Sequence, residues 1–268
     1  MNRTLNFTKR NFLEMLRDPI IYIFCAVFPV AMLIMFSVIN RYSGGNTPVF
    51  ELPSLIPGIM LFSFSFVMLL MSLLVSKDKS TAFLVRLYSS PMKTSEFLIG
   101  YALPGITVGI VQEIICLVSG KVLALLTGGA YFGIGASILL CLAMLPMLLT
   151  NVALGIWFGT VLSDKSAPGL SSVLITASGL LGGAWMPLDT MGGLETFCRF
   201  LPFYPSVYIG RILTGANHTI PDLTSGLPVP YSWDTTAALG WIPILLCLVL
   251  SVTLAAVSFY RMMHSDKK

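Results

Sequence analysis

Glu113 and the adjacent Gln112 are out of keeping with their surroundings, because both sit inside a long apolar run. A charge at the centre of a bilayer costs at least about 2.5–3.5 kcal/mol and usually faces the bundle interior. Two chemistries suit the pair. It lines a translocation path or gate, or its carboxyl is hydrogen-bonded, neutral, to a neighbouring helix. Lys121 lies eight residues further on, ~12 Å along a helix, too far for a direct ion pair. It is expected to snorkel to the interface. No reaction centre is evident elsewhere. His218 and His264 are far apart, and no His-Glu-x-x-His pattern exists to hold zinc. Gly120-Lys121 lacks the earlier glycine and the following hydroxyl of a phosphate loop, so ATP is not expected to bind this chain. Ser63, Ser65, Ser72, Ser171 and Ser172 have no histidine base within the apolar runs and suit interhelical packing better than nucleophilic catalysis. An enzyme is therefore the weakest class.

A second chemistry is docking. The charged island from Ser76 to Glu96 carries Lys77, Lys79, Arg86 and Lys93 against Asp78 and Glu96. Within it Phe83, Leu84, Leu87 and Tyr88 are spaced for one face of a helix. A merely solvated loop has no use for such a face, whereas a loop that docks on another protein does. A third set is apolar: Phe62, Phe64, Phe66, Met68 and Met71 in one run, and Trp157 and Phe158 in another. Aromatics and methionines suit a path for amphiphiles, and they equally suit packing.

The elements that position these groups are membrane helices. The chain has 268 residues, 56% hydrophobic and 10% charged, with mean hydropathy +0.86. Soluble domains run about 25% charged, so the bilayer is the expected solvent. Six spans are predicted, at 20–40, 55–76, 97–127, 132–162, 168–185 and 239–260. Pro104 and Pro146 are placed to bend the third and fourth. Twelve Lys and Arg fall on the side that holds both termini and residues 77–96, against Arg41, Arg199 and Arg211 opposite, which assigns both termini to the cytoplasm. Residues 1–19 are expected to form an amphipathic interfacial helix, with Leu5, Phe12, Met15 and Leu16 on one face, Lys9 among the basic residues around it, and Pro19 as its stop. Residues 186–238 are broken by prolines and rich in aromatics. They are expected to form short re-entrant helices and a small external loop. Asp164 and Lys165 read as a loop charge pair. Asn217-His218-Thr219 matches a glycosylation acceptor but has no supporting context. Cys25, Cys116, Cys141 and Cys247 lie in apolar runs and Cys198 has no evident partner, so no disulfide framework is expected. No cleavable signal peptide or internal repeat is apparent, and residues 1–268 read as a single membrane domain.

The order of features resembles the permease family of type-2 ABC exporters. The resemblance rests on Arg17-Asp18-Pro19 before the first span and Leu55-Ile56-Pro57-Gly58-Ile59 at the second. It continues with Arg86-Leu87-Tyr88-Ser89-Ser90-Pro91-Met92 followed by Glu96-Phe97-Leu98-Ile99-Gly100, and with Gly182-Gly183-Ala184-Trp185-Met186-Pro187-Leu188. It ends with Leu201-Pro202-Phe203-Tyr204-Pro205 and then Tyr208 and Arg211-Ile212-Leu213-Thr214-Gly215. The resemblance implies an all-α integral membrane fold with a coupling helix at about 81–90. That helix, through Phe83, Leu84, Arg86, Leu87 and Tyr88, would contact a separate cytoplasmic ATPase. Two permease chains and two ATPase copies would form the exporter. ATP and magnesium would belong to the ATPase, with no cofactor on this chain, and membrane lipids but no nucleic acid as further partners. The implied cargo is an amphiphilic drug, lipid or peptide, with polysaccharide or ion export as an alternative. An ATP-independent channel or secondary carrier is the rival of another class.

Overall fold

In the computed structural model the described residues are 2–44, 47–81, 92–219 and 228–265. Helix α1 covers Asn2–Arg17, α2 Pro19–Tyr42, α3 Leu52–Ser80, α4 Thr94–Thr127 and α5 Ile134–Val161. Helix α6 covers Ala167–Leu181, α7 Gly193–Cys198, α8 Phe203–Thr214 and α9 Thr235–Ser265. Among the described residues there is no strand, only an isolated bridge between Asn217 and Pro230. Five helices (α2, α3, α4, α5 and α9) are long and apolar enough to cross a membrane. The predicted 168–185 element is shorter than expected. Helix α6 has 15 residues, about 22 Å at 1.5 Å per residue, and it ends at a turn where Gly183 takes φ +64.

Helix α3 is the hub. It is apolar all round and 89% buried over its apolar window, against 22% for α9 and 28% for α2. A helix hydrophobic on every face must be enclosed by protein or lipid, and here α2, α4, α5, α6 and α8 enclose it. Helix α5 comes closest, through the Gly155-x-x-x-Gly159 spacing. A Cβ at Gly155 would lie 2.5 Å from Met68 O, and one at Gly159 would lie 2.5 Å from Val75 Cβ, so only glycine permits this approach. Helix α6 runs antiparallel to α3 along a hydroxyl seam. Asp164 accepts from Ser76 (3.1 Å), Ser171 meets Ser72 (3.3 Å) and Ser178 meets Ser65 (2.7 Å). Beyond these, Ala184 packs on Gly58. Segment 164–184 thus follows α3 from residue 76 back to residue 58. Asp164 takes Ser76 as its partner where Lys165 was expected.

Prolines govern how the other helices dock. Pro57 lies inside α3 and Pro104 inside α4. Each lacks the N–H that would bond to the carbonyl four residues earlier, freeing the carbonyls of Pro53 and Gly100. Thr214 Oγ1, on α8, donates to Pro53 O at 2.6 Å. Asn11 Nδ2, on α1, donates to Gly100 O at 3.1 Å. Gln112 Nε2 makes a longer contact, 3.5 Å, to Phe24 O. Phe24 lies in the π-turn Ile23–Val27, where Pro29 occupies the i+5 donor position.

Helix α1 corrects one expected face. Phe7, Asn11 and Met15 are its buried side, with Phe7 wedged against Phe97 and Tyr101 and against the glycine face of Gly100. Met15 therefore parts from Leu5 and Leu16, which are 66% and 37% exposed. Phe12 and Lys9 stay on their side, half-buried and exposed respectively. Pro19 proves to be the first residue of α2, with Asp18 as the extended N-cap whose carboxylate accepts from Ile20 N–H. The start of α4 meets the end of α9, where Thr94 Oγ1 lies 3.4 Å from Met263 Sδ. Helix α1, the end of α3 and the end of α9 thus share one end of the bundle.

Asn11→Leu should cost about 1–3 kcal/mol in thermal or denaturant unfolding in a defined lipid disc, the cost of leaving one buried carbonyl unpaired. With Pro104→Ala, which restores the helical donor, the same substitution should cost far less. Additive costs would show that Asn11 acts only by shape.

Candidate functional site

At the shared end of the bundle, six polar side chains from three helices form one network: Arg10, Asn11, Glu14, Lys77, Asp78 and Tyr101. Asp78 is 2% exposed although it sits two residues from the end of α3. Arg10 meets it with both terminal nitrogens, Nη1 to Oδ2 at 2.6 Å and Nη2 to Oδ1 at 2.8 Å. Tyr101 donates to Oδ2 at 2.7 Å. Glu14 bonds Arg10 at 2.7 Å and Lys77 at 3.0 Å. Burial pulls the Arg10 guanidinium down, but its bonds and charge pairing with Asp78 outweigh this and leave it raised. A bidentate arginine–carboxylate pair fixes both distance and orientation. Helix α1 is therefore held against α3 and α4 immediately before residues 82–91. Phe83, Leu84, Arg86, Leu87 and Tyr88 lie in that stretch, outside the described residues.

Sequence reasoning counted these charges as one basic side and did not find the network. One signal was available: Arg10 and Glu14 stand at i,i+4, and Asp78 is the acidic residue between Lys77 and Lys79. Its spatial pairing with Arg10, 68 positions away, carries no local signature.

The intramembrane pair divides between neighbours. Gln112 Nε2 donates to Ser63 O at 3.2 Å. Gln112 Oε1, Glu113 Oε1 and Ser63 Oγ are buried with no partner. Phe62 and Phe66, flanking Ser63, stack with Phe24, Phe28 and Trp185 at centroid distances of 4.8–5.7 Å. Gln112, Phe62 and Phe66 are thus brought together. Trp157 does not join them. It lies at the network end of α5, in a cleft with Lys79 and Arg261. Lys121 is exposed, as a snorkelling lysine should be.

At the opposite end, Arg211 was expected as an outer-loop charge but is fully buried. It donates to Ser54 O (3.2 Å), Gly183 O (2.7 Å) and the Tyr231 hydroxyl (3.3 Å), joining the start of α3, the turn after α6 and the segment before α9. Asp189 accepts from Thr219 N–H at 2.7 Å and lies 3.4 Å from His218 Nδ1. Burial pushes Asp189 up, but bonds from His218 and the Thr219 N–H and the charges of Arg211 and His218 hold it below its usual 3.8. What this arrangement can do chemically is transmit position. Its polar atoms are tied mainly to one another and to backbone, and among the described residues no set of three His, Cys, Asp or Glu could hold a metal.

A family model described as ABC-2 type transporter matches residues 3–213. No curated protein matches.

Two outcomes follow from the charge geometry. Arg10→Met should destabilise the folded chain by about 3 kcal/mol, because it leaves Asp78 buried and unpaired. Arg10→Met with Asp78→Leu should recover most of this, measured as a double-mutant cycle on unfolding in lipid discs. A depressed carboxylate stabilises above its unfolded pKa and loses that contribution as pH falls through its folded pKa. Hydrogen-exchange protection of residues 188–190 and 217–219, corrected for intrinsic rates, should therefore fall as pH drops below about 4, and Asp189→Asn should abolish that fall.

Proposed function

The chain belongs to the ABC-2 type transporter family, and from that premise we propose that it is the permease subunit of an ATP-driven exporter, energised by a separate ATPase. The observation that carries this reading is the buried Arg10–Asp78–Tyr101 network at the foot of residues 82–91. A loop pushed by a partner needs a stiff attachment, and here the attachment joins the last turn of the central helix to the helix beside it.

In this reading the network end is cytoplasmic and residues 81–90 form the coupling helix. Phe83, Leu84, Leu87 and Tyr88 enter a groove of the ATPase, with Arg86 setting orientation. Leu5 and Leu16, exposed on the outer side of α1, and the half-buried Phe12 beside them rest in the inner leaflet with Lys9 at headgroup level. Residues 168–185 are the fifth crossing in chain order, supported by the antiparallel course of segment 164–184 along α3 from Ser76 to Gly58. Segment 186–238 is the re-entrant outer portion, supported by the burial of α8 against α3, α5 and α9. Two permease chains and two ATPase copies complete the assembly. Closure of the ATPases moves the coupling helix and switches access between the two sides. The path candidates Gln112, Glu113, Phe62 and Phe66 favour an amphiphilic drug, lipid or peptide, because aromatic surface stands beside unpartnered polar atoms. Trp157 is withdrawn from that group by its position.

Arg86→Glu and Leu87→Gln should leave the complex assembled in detergent but reduce transport-coupled ATP hydrolysis about tenfold or more. Normal coupling in both variants would remove the coupling-helix reading. A purified, active complex without an ATPase subunit would favour the channel or carrier.

A further inference from the structure

A cleft of about 450 Å³ opens between the network ends of α5 and α9, within the range of about 300–1,000 Å³ that small-molecule sites occupy. Its composition is one-sided. Lys79 and Arg261 line it together with Trp157, Thr160, Ser258 and Val257, and no carboxylate does. Among the described residues neither cation has an acidic partner. Lys79 commits one donor to Thr160 O at 2.7 Å, at the carbonyl-rich C-terminus of α5, where a cation is favourable. Two of its three N–H groups are left for another acceptor. The floor is tied by Thr160 Oγ1 to Ser258 Oγ at 2.8 Å, which fixes α5 against α9. The rim is lipophilic, with Val161 56% and Val257 50% exposed. A tryptophan, two cations and outward valines at the end of two apolar helices are the parts of a lipid headgroup site.

The cleft between α1 and α3, lined by Arg10, Arg17, Lys77, Glu14 and Asp18, is different. Its charges are mixed, and Arg10 and Lys77 are already paired. With Asp78 bound to Arg10, its three cations meet three carboxylates. We propose that the α5–α9 cleft binds a resident anionic phospholipid, its phosphate between Lys79 and Arg261 and its acyl chains along Val161 and Val257. Lys79 stands three positions before residue 82, where that stretch begins. An occupied site would therefore fasten the last turn of α3 to α5 and α9.

The test uses the full chain in lipid discs, with Trp157 fluorescence isolated as the difference between wild type and Trp157→Phe. Brominated phosphatidylglycerol should quench this component at a concentration about tenfold or more below that of brominated phosphatidylcholine, the preference expected for two cations near an anionic headgroup. Lys79→Gln with Arg261→Gln should remove the preference, and Lys121→Gln at the far end of α4 should keep it. Equal quenching by the two lipids in wild type overturns the proposal without reliance on any variant. So does inorganic phosphate abolishing the preference at millimolar concentration, which would mark a site for free anions.

Discussion

A bilayer offers no donor to an orphaned carbonyl, and this constraint organises the molecule. Prolines in helices exposed to water lose a bond that the solvent replaces. In α3 and α4 the replacement must come from protein. Thr214 supplies it at Pro53 and Asn11 at Gly100. These two donors sit on α8 and α1, helices outside the five long apolar ones. Each proline thus marks where a shorter helix attaches. Arg211 extends the same principle, spending its guanidinium on the carbonyls of Ser54 and Gly183 and the hydroxyl of Tyr231. A fully buried arginine with these acceptors holds three chain segments by one side chain.

The two ends of the bundle are built from different chemistry. At the α1 end, an ion pair is completed by a tyrosine and a second carboxylate, and its strength depends on burial of Asp78. At the α8 end, backbone carbonyls, stacked rings such as His218 on Tyr231 at 3.7 Å, and a depressed carboxylate do the work. Between them lies a seam where buried Gln112, Glu113 and Ser63 each have one unpaired atom. Ser37, Asn40 and Asp189, toward the α8 end, also each keep one buried unpaired atom, so among the described residues the polar slack lies in the middle and toward the α8 end, and the α1 end is the tightly tied one.

Much of this was legible in the residues. Long apolar runs between charged islands located the five long apolar helices to within a few positions. The boundary at Asp18-Pro19 followed from proline stereochemistry, although Pro19 opens α2 instead of closing α1. Other features depend on contacts between distant positions. Met15 can be grouped with Leu16 on a helical wheel, and only the docking of Phe7 onto Gly100 reveals that the buried stripe is Phe7, Asn11 and Met15. Pro104 was read from the sequence only as a bend, and the donors to the carbonyls that Pro104 and Pro57 free lie 89 and 161 positions away. Gly155 and Gly159 carried a readable small-residue spacing, but their partner helix did not. Trp157 was grouped with Phe62 by residue type, whereas distance along its helix puts it at the opposite depth.

The glycine contact between α3 and α5 has a mechanical meaning. Where backbones touch without side chains between them, sliding is resisted by the ridges of the helices themselves, and the next comfortable alignment is about one turn, 5.4 Å, away. Helices α3 and α5 therefore travel as one beam. The α3–α6 seam mixes two kinds of contact, serine hydroxyls that rotate between residues 65 and 76 and a backbone contact at its Gly58–Ala184 end. A displacement arriving at Asp78 would be carried whole by the beam, while the serine stretch gives and the Gly58–Ala184 contact holds, so α6 is compliant at one end and pinned at the other.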